Sequence, residues 1–593
     1  MITVRTSEGE YTLSLDEFEA SVRDGRIAPS TPVRFPVLTQ DTWVEARDLE
    51  LFRRLYSPAR IYFTRRFSLG RFPILTGLLC VLQVALYLWT AGFERSVSLD
   101  ELARAGAKWQ PLVLELGQTW RLFVANVLHR DVLHLFFNLF FLFNLGGTVE
   151  NAYRRRDYAF IVVASAVGTT GMSTFFSELP SVGASGIVLG LFGSASVFGY
   201  RYGTLLPKRY RRYFGSAVLP CAAFIVVVGL ATKDTDNWGH LGGLFSGILA
   251  TIPLRPALLW RDEESRNSAA RFVSWRSVPL MGLVGLVLWV SVSGFVIRRI
   301  GPVYEVHEDV DSGIRIAYPQ RWHPREDHLG LPSWGNPLGA SVGVRAERRA
   351  DGPHSVVEWL ADFRETFLRE RIAEGEIAEV RLGPTRPFLI EGGQGVEVPI
   401  DLESRAGPLF TRNLLVVRGN YRYLVVVAAP KAWAGAYDSI LDEMLGRVTL
   451  TEPATLTRAR ARVRVFPGMS SARVELGDQL AAIGRAREAA IAYQQVLSSF
   501  EDHMGALYGL CKLALDYDGD PQSAERVATD LVRRRPEDSR YALLLADLRR
   551  RLGQTEAACA VVREALDRVQ EPLGALRERL LELGCSSAVG FEP

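Results

Sequence analysis

At 593 residues the chain is too long for a single hydrophobic core, so several domains are expected. Its net charge is only +3 and arginine far outnumbers lysine, which gives no reason to expect a nucleic-acid partner. Its five cysteines (Cys80, Cys221, Cys511, Cys559 and Cys585) are odd in number and form no CxxC, so neither a zinc site nor a disulfide framework is expected.

Residues 1–56 read as a small α+β module in which short β-like runs alternate with an amphipathic helix near Leu15–Arg23. The first 50 residues are polar and show no cleavable secretory signal. Glu10-Tyr11-Thr12-Leu13, Gly25-Arg26-Ile27 and Trp43-Val44-Glu45-Ala46 resemble the small GYF-like cytoplasmic modules of bacterial membrane proteins. That resemblance implies either a peptide-binding role or a structural cap. A basic linker follows at 57–71.

From 72 to 300 the chain is dominated by apolar stretches, while both flanks are polar. Seven segments have the length and apolarity of membrane spans: 72–93, 132–149, 158–176, 185–200, 214–232, 238–254 and 278–297. The fourth and sixth are short and glycine-rich, which predicts that they pack inside a helix bundle. A linker at 255–277 separates the first six from the seventh.

The basic residues set the orientation. Arg60, Arg65, Arg66 and Arg71 precede the first span, and Arg154, Arg155 and Arg156 follow the second. Arg201, Lys208, Arg209, Arg211 and Arg212 follow the fourth, and Arg255, Arg261, Arg266 and Arg271 follow the sixth. Parity puts all four groups on one side, predicted to be the cytoplasm of a bacterial inner membrane. The connection at 177–184 has no Lys or Arg, and that near 233–237 has only Lys233. Arg298 and Arg299 are a mild exception. The N-terminus is then cytoplasmic and residues 300–593 are extracytoplasmic.

Several polar residues lie where hydrocarbon would reject them unless they had partners or work to do. Gly183-Ala184-Ser185-Gly186 opens the fourth span, Asn237-Trp238-Gly239-His240 opens the sixth, and His134-Leu135-Phe136-Phe137-Asn138 opens the second. Even-numbered spans all run inward, so topology alone brings Ser185, His240, His134 and Asn138 to one depth in the outer leaflet. A serine hydroxyl needs an adjacent base to become a nucleophile, and His240 can be that base. His134 and Asn138, four apart on one helix face, can aim donors at a developing oxyanion with the Ser185 N–H. No Asp or Glu lies inside an even span, so a dyad is predicted. Gly186 with Gly190, and Gly243 with Gly247, have the four-residue spacing that lets membrane helices approach closely. A lone serine or histidine beside glycine in such a helix is usually packing; the ordered set at one depth favours catalysis.

Over roughly 72–254, these residues resemble the rhomboid family of intramembrane serine proteases. The resemblance lies in Trp120-Arg121, His129 with His134 and Asn138, Gly183-Ala184-Ser185-Gly186, and His240 followed by Gly243 and Gly247. It implies cleavage of transmembrane protein substrates near the outer boundary of the lipid bilayer, without metal or cofactor. It also implies a Ser185–His240 dyad, an oxyanion site lined by His134 and Asn138, and a structural role for Trp120-Arg121 in an outer loop. Where some members carry an aromatic four residues after the serine, this chain has Leu189. The seventh span is similar to the six-plus-one form of the family.

Residues 303–450 read as an α/β domain, similar to PsbP-like domains, with β-rich runs at 314–318, 413–417 and 423–427. Helices are predicted over Val356–Arg371 and Trp433–Leu445. His307, His323, His328 and His354 lack a ligand spacing and are expected at the surface. Residues 472–570 repeat with a period of about 34 residues. Leu476, Gly477, Leu480, Gly484, Ala489 and Tyr493 fit one tetratricopeptide unit; Leu510, Ala524 and Pro536 mark a second, and Leu545, Gly553, Ala558 and Ala565 a third. An α-helical solenoid with a protein partner is expected. The whole is thus a multi-domain chain built on a polytopic helical membrane bundle. The rival readings are a catalytically vestigial scaffold that works through its repeats, and a transporter, against which the spans show no internal symmetry.

Overall fold

The computed structural model describes the chain except residues 8, 58–70, 93, 95, 207–212, 215–217, 232–234, 257–272, 327–330, 350–354, 376, 405–406, 518, 569–573 and 586–593. Arg60, Arg65, Arg66, Lys208, Arg209, Arg211, Arg212, Lys233, Arg261, Arg266 and Arg271 of the charge pattern lie outside the described residues, as do His328 and His354. The chain divides into two units, Met1–Pro302 and Val303–Pro593.

In the first unit, β1 (Ile2–Thr6), β2 (Gly9–Leu13), β3 (Pro32–Arg34) and β4 (Val44–Glu45) form a sheet in the order β2-β1-β3-β4. Helix α1 (Leu15–Arg23) starts on a capping box: Ser14 accepts from the Glu17 N–H, and the Glu17 carboxylate accepts from the Ser14 N–H at 2.8 Å. Its Phe18 and Val22 close a core with Ile2, Val4, Val33 and Phe52.

Apolar helices follow: α2 (Ile74–Ala91), α3 (Val132–Ala152), α4 (Arg155–Phe176), α5 (Ser185–Tyr202), α6 (Leu219–Ala231), α7 (Asn237–Thr251) and α8 (Val273–Ile300). Among the described residues, α2, α3, α4 and Gly282–Ile300 of α8 are long and apolar enough to cross a membrane. Leu78, Val81 and Trp89 of α2, Phe136, Phe137 and Phe140 of α3, and Leu288, Trp289 and Phe295 of α8 are exposed. Apolar surface on that scale suits lipid, not water. A buried carboxylate starts α2, whose first N–H groups lack intrahelical partners. Glu150 accepts from the backbone of Leu75 at 3.0 Å and of Thr76 at 2.9 Å, and from the Thr76 hydroxyl at 2.8 Å.

The connection between α2 and α3 contains short helices at Leu99–Ala105, Gln110–Leu114 and Arg121–Val124. Arg121 is buried at their centre. Its guanidinium lies 4.6 Å from the centre of the Trp120 ring, and it donates to the Ala107 carbonyl at 2.9 Å and to Gln118 Oε1 at 2.8 Å. Helix α8 docks on this connection: the Thr119 hydroxyl donates to the Val290 carbonyl at 2.9 Å, and Arg298 Nε to the Leu116 carbonyl at 3.2 Å. A side chain on Gly117 would stand 2.8 Å from the Gly294 carbonyl, so only glycine permits this approach.

The second unit holds an eight-stranded antiparallel sheet, counted over the described residues. At its centre are β5 (Ser341–Arg348), β6 (Gln394–Ser404), β7 (Gly407–Arg418) and β8 (Tyr421–Pro430), in the order β6-β7-β8-β5. Trp359, Phe363 and Phe367 cover one face over Leu415, Leu424 and Val426. The predicted helix over Val356–Arg371 is present but interrupted by a π turn at Phe363–Phe367, and the second predicted helix runs Ala434–Gly446. His323 is exposed, and His307 is half-buried against Trp334, 4.3 Å between ring centres.

Among the described residues, the second unit is built of helices from Ala454 onward. Gly477 and Gly509 clear the space that the Tyr493 ring fills, and its hydroxyl donates to Asp478 at 2.6 Å. One expectation is overturned here: Cys559 and Cys585 form a disulfide, while Cys80, Cys221 and Cys511 are free. The helices Thr555–Arg568 and Gly574–Glu582 bring the two sulfurs together across a sequence separation of 26, a spacing that carries no motif. Cys559→Ala is expected to destabilise this helical end by about 2–4 kcal/mol. Chemical denaturation with and without reductant checks this, and identical midpoints would remove the bond from the fold.

Candidate active site

Ser185 is the first residue of α5, and the chain reaches it through Gly183, whose φ of +115° lies in the glycine-favouring region. A side chain at 183 would also meet the His134 ring at 2.6 Å and lie 3.7 Å from Asn138 Nδ2. The backbone before the serine therefore lies against both of these α3 side chains. His134 is the third residue of α3, whose N-cap Asp131 accepts its N–H at 2.8 Å. Asn138, one turn later and buried, donates one N–H to the His134 carbonyl at 2.8 Å, which fixes the plane of its amide.

His240 is the fourth residue of α7 and is 8% exposed. Its Nε2 lies 2.8 Å from Ser185 Oγ. The contact requires three helices to nearly touch, and glycines make that possible. Side chains at Gly243 and Gly247 would collide with the carbonyls of Gly186 and Gly190. One at Gly193 would lie 2.7 Å from the Leu244 carbonyl, and one at Gly242 would meet α4 at Gly168 and, at 2.7 Å, the Met172 side chain.

The four residues singled out in the sequence thus converge: Ser185 with His240 directly, His134 and Asn138 through Gly183. Leu189, one turn after the serine, is fully buried in the hydrophobic core of the helix bundle, and among the described residues no aromatic ring stacks on His240. His129 is buried with its ring centre 5.1 Å from that of His134.

The segment leading to the serine is held by the α2–α3 connection. The Gly183 N–H donates to the Ala125 carbonyl at 2.9 Å, and Lys108 and Ser181 exchange backbone hydrogen bonds at 3.1 and 2.8 Å. Buried Lys108 also donates from Nζ to the carbonyls of Ser177 at 2.8 Å and Leu179 at 3.1 Å. Two polar groups beside the site went unnoticed in the sequence: Lys108, and Asp236, the N-cap of α7. Asp236 lies outside the sixth apolar span, two residues before its start at 238. Its separation of four from His240, at a helix start, is the signal that could have found it.

The geometry provides a hydroxyl, an imidazole in hydrogen-bond contact with it, and amide and imidazole groups facing the preceding backbone, all among apolar helices. Comparison with known proteins follows the same residues. Residues 116–257 match the Rhomboid domain model. Over 182 residues, 31% of this chain, the sequence is 30% identical to Rhomboid protease GluP of Bacillus subtilis (strain 168), covering 35% of that protein. Over 185 residues, 31% of the chain, it is 30% identical to Rhomboid-like protease 1 of Toxoplasma gondii, covering 60% of it. Over 220 residues, 33% of the chain, it is 28% identical to Rhomboid protease AarA of Providencia stuartii, covering 77% of it. The chain therefore spans less than two thirds of the first two relatives. The apolar helices and rhomboid relatives indicate a membrane protein with further domains, and the match of residues 116–257 with the Rhomboid domain and the rhomboid protease relatives support the rhomboid family.

Proposed function

We propose that the chain is an intramembrane serine endopeptidase that hydrolyses peptide bonds of transmembrane proteins near the outer membrane boundary. The observation that carries this reading is the 2.8 Å contact between Ser185 Oγ and His240 Nε2 within the bundle. Ser185 Oγ bonds to the scissile carbonyl carbon as His240 takes its proton, and His240 then passes that proton to the leaving amine. Water, deprotonated by the same imidazole, hydrolyses the acyl-enzyme and restores the hydroxyl. His134, Asn138 and the Ser185 N–H stabilise the oxyanion, each donor being worth on the order of 100- to 1000-fold in rate.

In this reading residues 72–254 form the six-helix protease core and 278–297 the added seventh span, in a bacterial inner membrane with the N-terminus cytoplasmic. Arg154, Arg155, Arg156, Arg201 and Arg255 on one side support that orientation. The Cys559–Cys585 disulfide supports an extracytoplasmic place for residues 300–593, because such bonds persist in oxidising compartments. The helices after residue 472 are read as a tetratricopeptide solenoid that holds a protein partner, supported by the Gly477–Tyr493–Gly509 packing.

The same packing favours the second reading, a scaffold that acts through its repeats alone. Quantitative membrane proteomics of wild type against Ser185→Ala separates the two. The protease reading expects at least one transmembrane protein to accumulate uncut in the variant. Identical profiles would leave the scaffold.

A further inference from the structure

His240 uses Nε2 toward Ser185, and its Nδ1, though buried, has no hydrogen-bond partner among the described residues. When a histidine base accepts a proton at Nε2, positive charge spreads to Nδ1, where serine hydrolases commonly place a carboxylate. Among the described residues no carboxylate bonds Nδ1. The titratable groups that act on the ring are Asp236 at the start of its own helix and His134 from α3, and Asp236 also acts on Lys108 of the α2–α3 connection.

Asp236 is held from two sides. Its Oδ1 accepts from the Gly239 N–H at 3.1 Å, capping α7, and its Oδ2 accepts from the Ser173 hydroxyl in the last turns of α4. Its own carbonyl accepts the His240 N–H at 3.2 Å. One residue therefore begins the helix that carries the base, ties that helix to α4, and leaves a carboxylate one turn from the imidazole.

We infer that Asp236 is a positioning residue for the proposed proteolysis, fixing the first turn of α7 and supplying the fixed negative charge that stabilises the His240 imidazolium. This rests on the protease reading above. The proton still moves only from Ser185 Oγ to His240 Nε2 and on to the leaving amine, while Asp236 keeps its charge throughout. It acts through space and through the helix, in place of the direct carboxylate–imidazole bond of a triad.

Asp236→Asn tests the charge apart from the cap, since asparagine caps helices about as well as aspartate, whereas Asp236→Ala removes both. The full-length protein in liposomes, with a fluorogenic transmembrane peptide, gives kcat and kcat/KM against pH. The expected result for Asp236→Asn is a kcat lower by roughly 10-fold and an acidic limb moved to lower pH by roughly half to one unit, with unchanged thermal stability. Asp236→Ala should add a loss of thermal stability. An Asp236→Asn profile superimposable on wild type overturns the inference, as does a drop in rate with no movement of the limb. If Asp236→Asn does not fold, Ser173→Ala serves, because it keeps the charge and removes one donor. Its limb should stay in place or move to higher pH, and movement to lower pH overturns the inference. Ser185→Ala run alongside keeps the two levels apart: cleavage above a tenth of wild type there ends the protease reading, whereas its loss with an unmoved Asp236→Asn profile ends only the role of Asp236.

Discussion

Ser185→Ala and His240→Ala are each expected to slow cleavage of a reconstituted transmembrane peptide by about 10,000-fold or more, with the double variant no slower than either single one. The non-additivity is the informative part. Oγ and Nε2, 2.8 Å apart, act as one device, so removing either disables both. What survives in each variant is catalysis by the oxyanion donors alone. Asn138→Ala is then expected to remove a further 100- to 1000-fold from wild type by a route independent of the hydroxyl. Initial rates for the three variants and the double decide it. More than a tenth of wild-type activity in either single variant is incompatible with this chemistry.

The second large effect concerns the glycines that let the helices meet. Gly243→Val would drive a branched side chain into the Gly186 carbonyl, with the Thr169 hydroxyl 2.6 Å from its first carbon. A backbone carbonyl cannot rotate out of the way, so α7 must move off α5 and carry His240 with it. Overpacking of this kind typically costs about 1–3 kcal/mol, and a displacement of about 1 Å at the base costs on the order of 100-fold in rate. Gly243→Val is therefore expected to lower both thermal stability and cleavage, by at least 100-fold for the latter. Gly171→Ala is the control: a side chain there meets nothing within 4 Å, and both readouts should stay near wild type. Equal losses at 171 and 243 would refute the close-packing account.

The candidate set was legible because each member occupies a fixed place in a helix-opening motif. Ser185, His240 and His134 all fall within the first four residues of their helices. Hydropathy located those helices to within a few residues, since lipid demands long uninterrupted apolar runs. What stayed hidden depends on the third dimension. The conformation of Gly183 and its contact with His134 follow from a turn, not from a pattern. The short helices between α2 and α3 carry no strong period, and Arg121 organises them through backbone carbonyls that any sequence would supply. Asp236 escaped because it stands outside the apolar run, and the Cys559–Cys585 bond because two cysteines 26 residues apart announce nothing until two helices turn back on each other.

The docking of α8 also sets an order of events during synthesis. Thr119 waits for a carbonyl 171 residues later in the chain, and Leu116 for a guanidinium 182 residues later. At ordinary elongation speeds that lag is roughly 9–36 s. Ser185 and His240 have both left the ribosome before α8 arrives to latch the loop beside them, so the newborn bundle carries these side chains well ahead of its finished architecture.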